Sequence, residues 1–280
     1  MFDDFFVPNR EPFPIEYLHI SKEEVTTVDM LSRLPTAFLR ARLDLIEKKL
    51  EDLPFVCIGK HRNSPIVRTY YFDNGIRRKH EYAMSGLRGQ ELLSEWRSRS
   101  ELINNRKIIK SLITSTKDLS SIDPNKVSTV FDERFWNNLG AVPNKKDPER
   151  MYEHKGIYMR SRGEVLIAQV LDSLNLEYKY EAVINIGDES YYPDFVVYLP
   201  EFRRCFIIEF LGMLDSKTYA YKNGIKIGNY MNCGMVINED LILFCGTRSS
   251  MPSAESIADD IVALIQKYCR IYSSSPYIVI

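Results

Sequence analysis

The chain has 280 residues, 45% of them apolar, with 37 lysines and arginines against 38 acids and a formal net charge of −1. That is enough apolar chain for a sizeable core, as one large domain or two modest ones. The charge balance excludes a surface that is basic throughout, so any contact with nucleic acid must be local.

Cys57, Cys205, Cys233, Cys245 and Cys269 show no Cys-x-x-Cys spacing, and most lie in apolar segments, as reduced core thiols do. The first eight residues carry acids where a signal peptide needs positive charge, and no apolar run reaches the length of a membrane span. Both features fit a cytoplasmic protein with no membrane partner.

Residues 1–33 mix aromatics, prolines and acids without a period and read as an N-terminal arm that packs on the rest of the chain or on a partner. A domain over 34–118 follows. Leu39, Leu43, Ile46 and Leu50 share one face of a helix that opens with Thr36 as its expected cap and stops at Pro54. Strand-like runs at 55–60, 66–72 and 76–82 come next, the last two joined by Asp73-Asn74-Gly75, a strong hairpin signal because its turn residues tolerate positive φ. This small antiparallel meander carries Lys60, Arg62, Arg68, Arg77, Arg78 and Lys79 against Asp73 and Glu81. It reads equally as a solvated sheet face or as a ribbon touching phosphates. A long helix is expected from about Gln90 to Thr116, to pack on the first helix or to serve as a dimerisation arm.

Residues 119–155, punctuated by Pro124, Pro143 and Pro148, read as a connector holding the domain boundary, with residues 156–280 as the second domain. There Glu164 falls in the first turn of a helix whose apolar residues are Leu166, Ile167, Val170, Leu171 and Leu174. A strand over 177–186, a turn at Gly187-Asp188, and strands over 190–198 and 204–211 follow. The second of these strands holds Asp194 after Pro193, and the third holds Glu209. A lone acid among β-branched and aromatic residues is costly to bury unpaired, and two such acids on adjacent strands suggest a metal. Asp215 is the expected cap of a further helix that Gly224 and Gly228 weaken and threaten to break. A buried strand at 240–247, a helix at 253–270 and an apolar tail at 277–280 complete the chain.

The series Glu164, Pro193-Asp194, Glu209, followed by Phe210-Leu211-Gly212-Met213-Leu214-Asp215, Tyr219-Ala220, Lys222, Lys226 and Tyr230, resembles the PD-(D/E)XK nuclease superfamily. The likeness is to a bacterial and phage group in which the run after the third acid ends in Gly-Met-Met-Asp and helical lysines follow. It is specific over roughly 156–247 and extends more weakly over 37–116.

The resemblance implies an α/β (α+β) protein with a restriction-endonuclease-like αβββαβ core around a mixed sheet. It also implies a Mg²⁺- or Mn²⁺-dependent endonuclease, with DNA as the expected substrate, in a mobile-element or phage-defence setting. Asp194, Glu209, the backbone carbonyl of Phe210 and Glu164 would hold the metal, hard oxygen donors suited to such a cation. Leu211 stands where the superfamily has its lysine. Lys226, ahead of Lys222, is expected to replace it, the two lying one helical turn apart. The rival expectation is an inactive nuclease fold that binds nucleic acid or serves as a scaffold, alone, as a homodimer or with a partner protein. The four histidines show no ligand spacing to one another.

Overall fold

A computed structural model of the chain describes residues 28–62, 64–74, 76–114, 121–127, 129–140, 144, 149–186, 189–247 and 250–274. Helix α1 (Thr36–Asp52) leads into the antiparallel meander β1 (Val56–His61), β2 (Ser64–Asp73) and β3 (Ile76–Ala83), and then into the long helix α2 (Leu87–Thr114). Short elements follow: β4 (Ser121–Ile122), α3 (Glu133–Asn138), β5 (Tyr152–His154) and β6 (Ile157–Met159). The C-terminal half runs α4 (Arg162–Ser173), β7 (Glu177–Tyr180), β8 (Ile184–Ile186), β9 (Glu189–Tyr191), β10 (Phe195–Leu199) and β11 (Arg204–Leu211). It ends with α5 (Lys217–Asn232), β12 (Leu241–Cys245), α6 (Ala254–Tyr272) and β13 (Ser273–Ser274).

The central sheet has the order β12-β11-β10-β7, with β7, β10 and β11 antiparallel in turn and β12 parallel to β11. All eight residues of β11 are buried, as a strand covered on both faces requires. On one face lie α4 and the strongly amphipathic α6, whose Ile257, Ile261, Leu264, Ile265 and Tyr268 join the main core. The other face packs Val196, Cys205 and Ile207 against Tyr230 of α5 and the aromatic residues of α3, with Trp136 stacked on Tyr198 at 5.3 Å.

The hairpin at Asp73-Asn74 forms as expected, with Asn74 at φ 52° and Asp73 paired to Ile76. Two long strand expectations split. The 177–186 run divides at Glu181, which takes φ 45°, and the 190–198 run divides at Pro193, which has no N–H for a ladder. The outer pieces, β8 and β9, pair with each other instead of extending the sheet. Thr36 is not the cap of α1: Pro35 holds that position, its fixed φ setting the entry angle. Ser216, not Asp215, precedes α5.

α5 runs unbroken through Gly224 and Gly228, although each costs roughly 1 kcal/mol relative to alanine in a helix. Tyr230 and Lys226 anchor its inner face, and a Cβ at either glycine would meet open space.

Apolar packing crosses the expected boundary at 119–155, while Val56, Val67, Leu92 and Leu93 of the meander and α2 form a small cluster of their own. α1 packs its Phe38 on Phe202 at 5.8 Å, and Arg42 pairs with Glu201 at 2.6 Å, both side chains buried. β4 pairs with β13, and Ile109 of α2 belongs to the same apolar cluster as the central sheet. The end of the expected arm also joins this core, since residues 28–32 are helical and Met30 and Leu31 are buried. The earlier part of the arm, the Gly187-Asp188 turn and the apolar tail lie outside the described residues.

Cys205 and Cys269 are buried as expected, whereas Cys233 and Cys245 are exposed. None of the described helices is long and apolar enough to cross a membrane.

Candidate active site

The register of the central sheet decides where the acids meet. Phe195 pairs with Ile208, so Asp194, one step before β10, falls opposite Glu209 on β11. Asp194 is fastened on both sides: the Phe210 N–H donates to its Oδ2 at 2.6 Å, and the Glu181 N–H, just past β7, donates to its carbonyl at 3.1 Å. Glu209 is buried within its strand. Such a carboxylate needs a partner, and α5 supplies it. Lys226 Nζ lies 2.6 Å from Glu209 Oε1 and 2.8 Å from Oε2, and it donates as well to the Tyr192 carbonyl at 3.1 Å.

Glu164 stands on α4, held by three donors. Ser161 Oγ donates to Oε1 at 2.7 Å, while the Arg160 N–H and the Tyr180 hydroxyl donate to Oε2 at 3.0 and 2.7 Å. The Glu164 N–H in turn donates to Ser161 Oγ, a capping-box arrangement that makes Glu164 part of the helix start. Gly163 beside it has no room for a side chain, because a Cβ would sit 2.2 Å from the Phe210 ring. α4 thereby seats the Phe210 ring of the third acid's strand against its own backbone, closer than any other residue type would allow.

The electrostatics follow from this crowding. Burial, then the negative charges of Glu209 and Glu164, push the Asp194 carboxyl well above the usual carboxylate range, against the opposing pull of Lys226 and the Phe210 N–H. Burial also raises Glu209, with Lys226 and Tyr230 pulling it back. Asp194 and Glu209 therefore share Lys226 while Asp194 also feels the charge of Glu164, an excess of negative charge that a bound cation relieves.

The donor chemistry fits a hard divalent cation on that ground. Asp194, Glu209 and the Phe210 carbonyl are oxygen donors, and Mg²⁺ commonly takes only one or two protein carboxylates and fills the rest of its shell with water. Among the described residues no group of three or more His, Cys, Asp or Glu side chains is placed to enclose a metal ion. Glu164 accordingly stays with its capping and tyrosine partners and does not close a ready-made triad.

Lys222, the other lysine singled out, is exposed one turn earlier on α5. The Phe210 carbonyl accepts a long bond from Tyr219, at 3.4 Å. Sequence reasoning gave no role to Tyr230, whose fully buried hydroxyl donates to Glu209 Oε1 at 2.7 Å, nor to Tyr180 on Glu164. The i,i+4 spacing of Lys226 and Tyr230 was the available signal, since it places both on one helix face. Arg150 and Arg160 were also missed. They bind opposite oxygens of buried Glu181, at 2.7 and 2.8 Å, next to the Asp194 backbone, and no sequence spacing links these residues.

The six meander cations lie apart from this cluster in the chain and are only partly available. Arg68 and Lys79 both pair with Glu81, and Arg78 pairs with Asp73. Arg77 lies over the Tyr70 ring at 4.0 Å, and Lys60 and Arg62 are exposed.

Comparison with protein-family models, curated proteins and solved structures finds no match to this chain. The geometry stands alone.

Proposed function

We propose that the chain is a metal-dependent nuclease that hydrolyses phosphodiester bonds, acting as an endonuclease on DNA. The observation that carries the reading is the reach of Lys226 across from α5 to Glu209, 2.6 Å from its carboxylate, beside Asp194. The resemblance needs a lysine at the third acid, and Leu211 cannot supply one. Support also comes from topology. Helix α4, the antiparallel β7, β10 and β11, then α5 and the parallel β12 follow the αβββαβ order of a restriction-endonuclease-like core.

In this reading Asp194, Glu209 and the Phe210 carbonyl hold Mg²⁺ or Mn²⁺, which when bound supplies Lewis-acid polarisation of the phosphate and a water that ionises near neutral pH. Lys226 orients the attacking water and offsets charge on the scissile phosphate. Tyr230 and Tyr180 fix Glu209 and Glu164 in place, and the Arg150–Glu181–Arg160 group sets the backbone turn ahead of Asp194. Exposed cations of the meander add contacts to the polymer.

The scaffold reading draws on Leu211 and on Glu164's commitment to its helix. One experiment separates the two. Lys226→Met is expected to reduce Mg²⁺-dependent cleavage of DNA about a hundredfold or more, and Lys222→Met by no more than a few-fold, compared at matched protein fold by circular dichroism. Equal losses in both variants would remove Lys226 from its assigned role, and no cleavage by the unaltered chain would favour the scaffold.

A further inference from the structure

The β2–β3 hairpin carries a shallow recess of about 480 Å³ lined by Tyr70, Tyr71, Arg77, Arg78 and Lys79. Two rings and three cations make up that lining. The register sets Tyr70 opposite Lys79 and Tyr71 opposite Arg78, so each ring has a cation directly across the strand pair. The acids Asp73 and Glu81 reach Arg78 and Lys79 from outside the lining, which steadies those side chains.

The rings are also ordered into platforms. Tyr71 stacks on His80 at 4.7 Å with 29° between planes, and His80 continues to Tyr82 at 6.1 Å and 23°. Tyr71 ends this row and is 41% exposed. On the opposite face of the hairpin the Arg77 guanidinium lies over Tyr70, a second flat surface bearing positive charge.

A duplex backbone asks only for cations, because its bases are stacked inside and present no ring face. An exposed ring beside a cation matches a different ligand, a base with its π-face free and a phosphate beside it. We propose that this hairpin binds single-stranded DNA, with an unpaired base on Tyr71 and a flanking phosphate at Arg78, which shares its face. The proposal rests on the nuclease reading for its choice of polymer and adds the strand state that reading leaves open.

The test measures binding without cleavage, so its outcome is independent of whether the acid cluster cuts. The full chain carrying Asp194→Ala is titrated in EDTA against a fluorescent oligothymidylate and against a labelled duplex of equal length. The single strand is expected to bind more tightly, and Tyr71→Ala to weaken it about tenfold while changing duplex affinity less than about twofold. Tyr71→Phe, which keeps the ring, is expected to retain the affinity. Arg78→Ala is expected to lower the slope of log affinity against log salt by about one. Unchanged single-strand affinity in Tyr71→Ala, an equal loss on the duplex, or binding of free thymidine monophosphate as tight as that of the strand would each overturn the assignment. Tyr71 is exposed and outside the apolar core, so these variants are expected to fold.

Discussion

Asp194→Asn is expected to raise the melting temperature of the metal-free protein while abolishing Mg²⁺-dependent cleavage. The carboxyl is held above its ordinary range by burial and by two neighbouring acids, so its charged form is the costly one in the folded chain. The direction of the pH dependence follows. A value raised on folding means that the linked stability is complete below the unfolded value of about 3.8 and is lost as pH climbs through the raised one. At neutral pH the folded protein bears that loss, and the amide removes it while keeping an acceptor for the Phe210 N–H. A gain of about 1 kcal/mol, or ~2–4 °C in a chain of this size, is the expected scale. Thermal melts in EDTA across pH, for the parent and the variant, read it directly, since the difference between the curves cancels the other titrating groups. Added Mg²⁺ is expected to raise the parent's melting temperature and leave that of Asp194→Asn unmoved. A variant less stable than its parent at neutral pH would mean that the acids do not repel one another as described.

The largest effect on stability is expected at Asp240. Its Oδ1 lies 2.6 Å from the Arg204 guanidinium, its Oδ2 accepts from the Val236 N–H at 2.9 Å, and its carbonyl accepts from the Ile207 N–H at 2.8 Å. Arg204 is itself buried, bonded to the Tyr272 hydroxyl at 2.6 Å and lying over the Tyr268 ring at 4.5 Å. This group ties the start of β11 to the turn before β12 and to the end of α6. Asp240→Ala leaves a buried guanidinium without its main counter-charge, which costs about 3–5 kcal/mol. Replacing both partners, as Arg204→Met with Asp240→Leu, is expected to recover much of that loss, because the penalty belongs to the unpaired charge. Urea unfolding at unchanged m-value measures both. A loss below about 1 kcal/mol in Asp240→Ala would show that water or Glu239, 3.6 Å from Arg204, takes over the charge.

Much of this arrangement is written locally in the chain. The period of α1, the Asn74 turn, the apolar β11 and the position of Glu164 in the first turn of α4 all depend on neighbours within a few residues, and sequence patterns report such neighbours well. What sequence patterns miss is long-range. The interruptions at Glu181 and Pro193 turned two expected strands into four, and the first depends on Arg150 and Arg160 arriving from elsewhere in the chain. The continuity of α5 through two glycines rests on Lys226 and Tyr230 being tied to Glu209, a tertiary gain that outweighs propensity. Pro-rich composition marks a loop over 119–155, but only packing tells which flanking elements touch across it, as Phe38 on Phe202 does.

The proposed metal-dependent hydrolytic centre comprises Asp194, Glu209 and Lys226. Its most direct test is the conversion of supercoiled plasmid to nicked and linear forms by the purified chain, with and without Mg²⁺ or Mn²⁺, beside Glu209→Ala. Cutting that requires the metal and falls about a thousandfold in Glu209→Ala is the predicted result. Metal-dependent cutting that survives intact in Glu209→Ala, or none by the parent chain under any divalent cation, would contradict it.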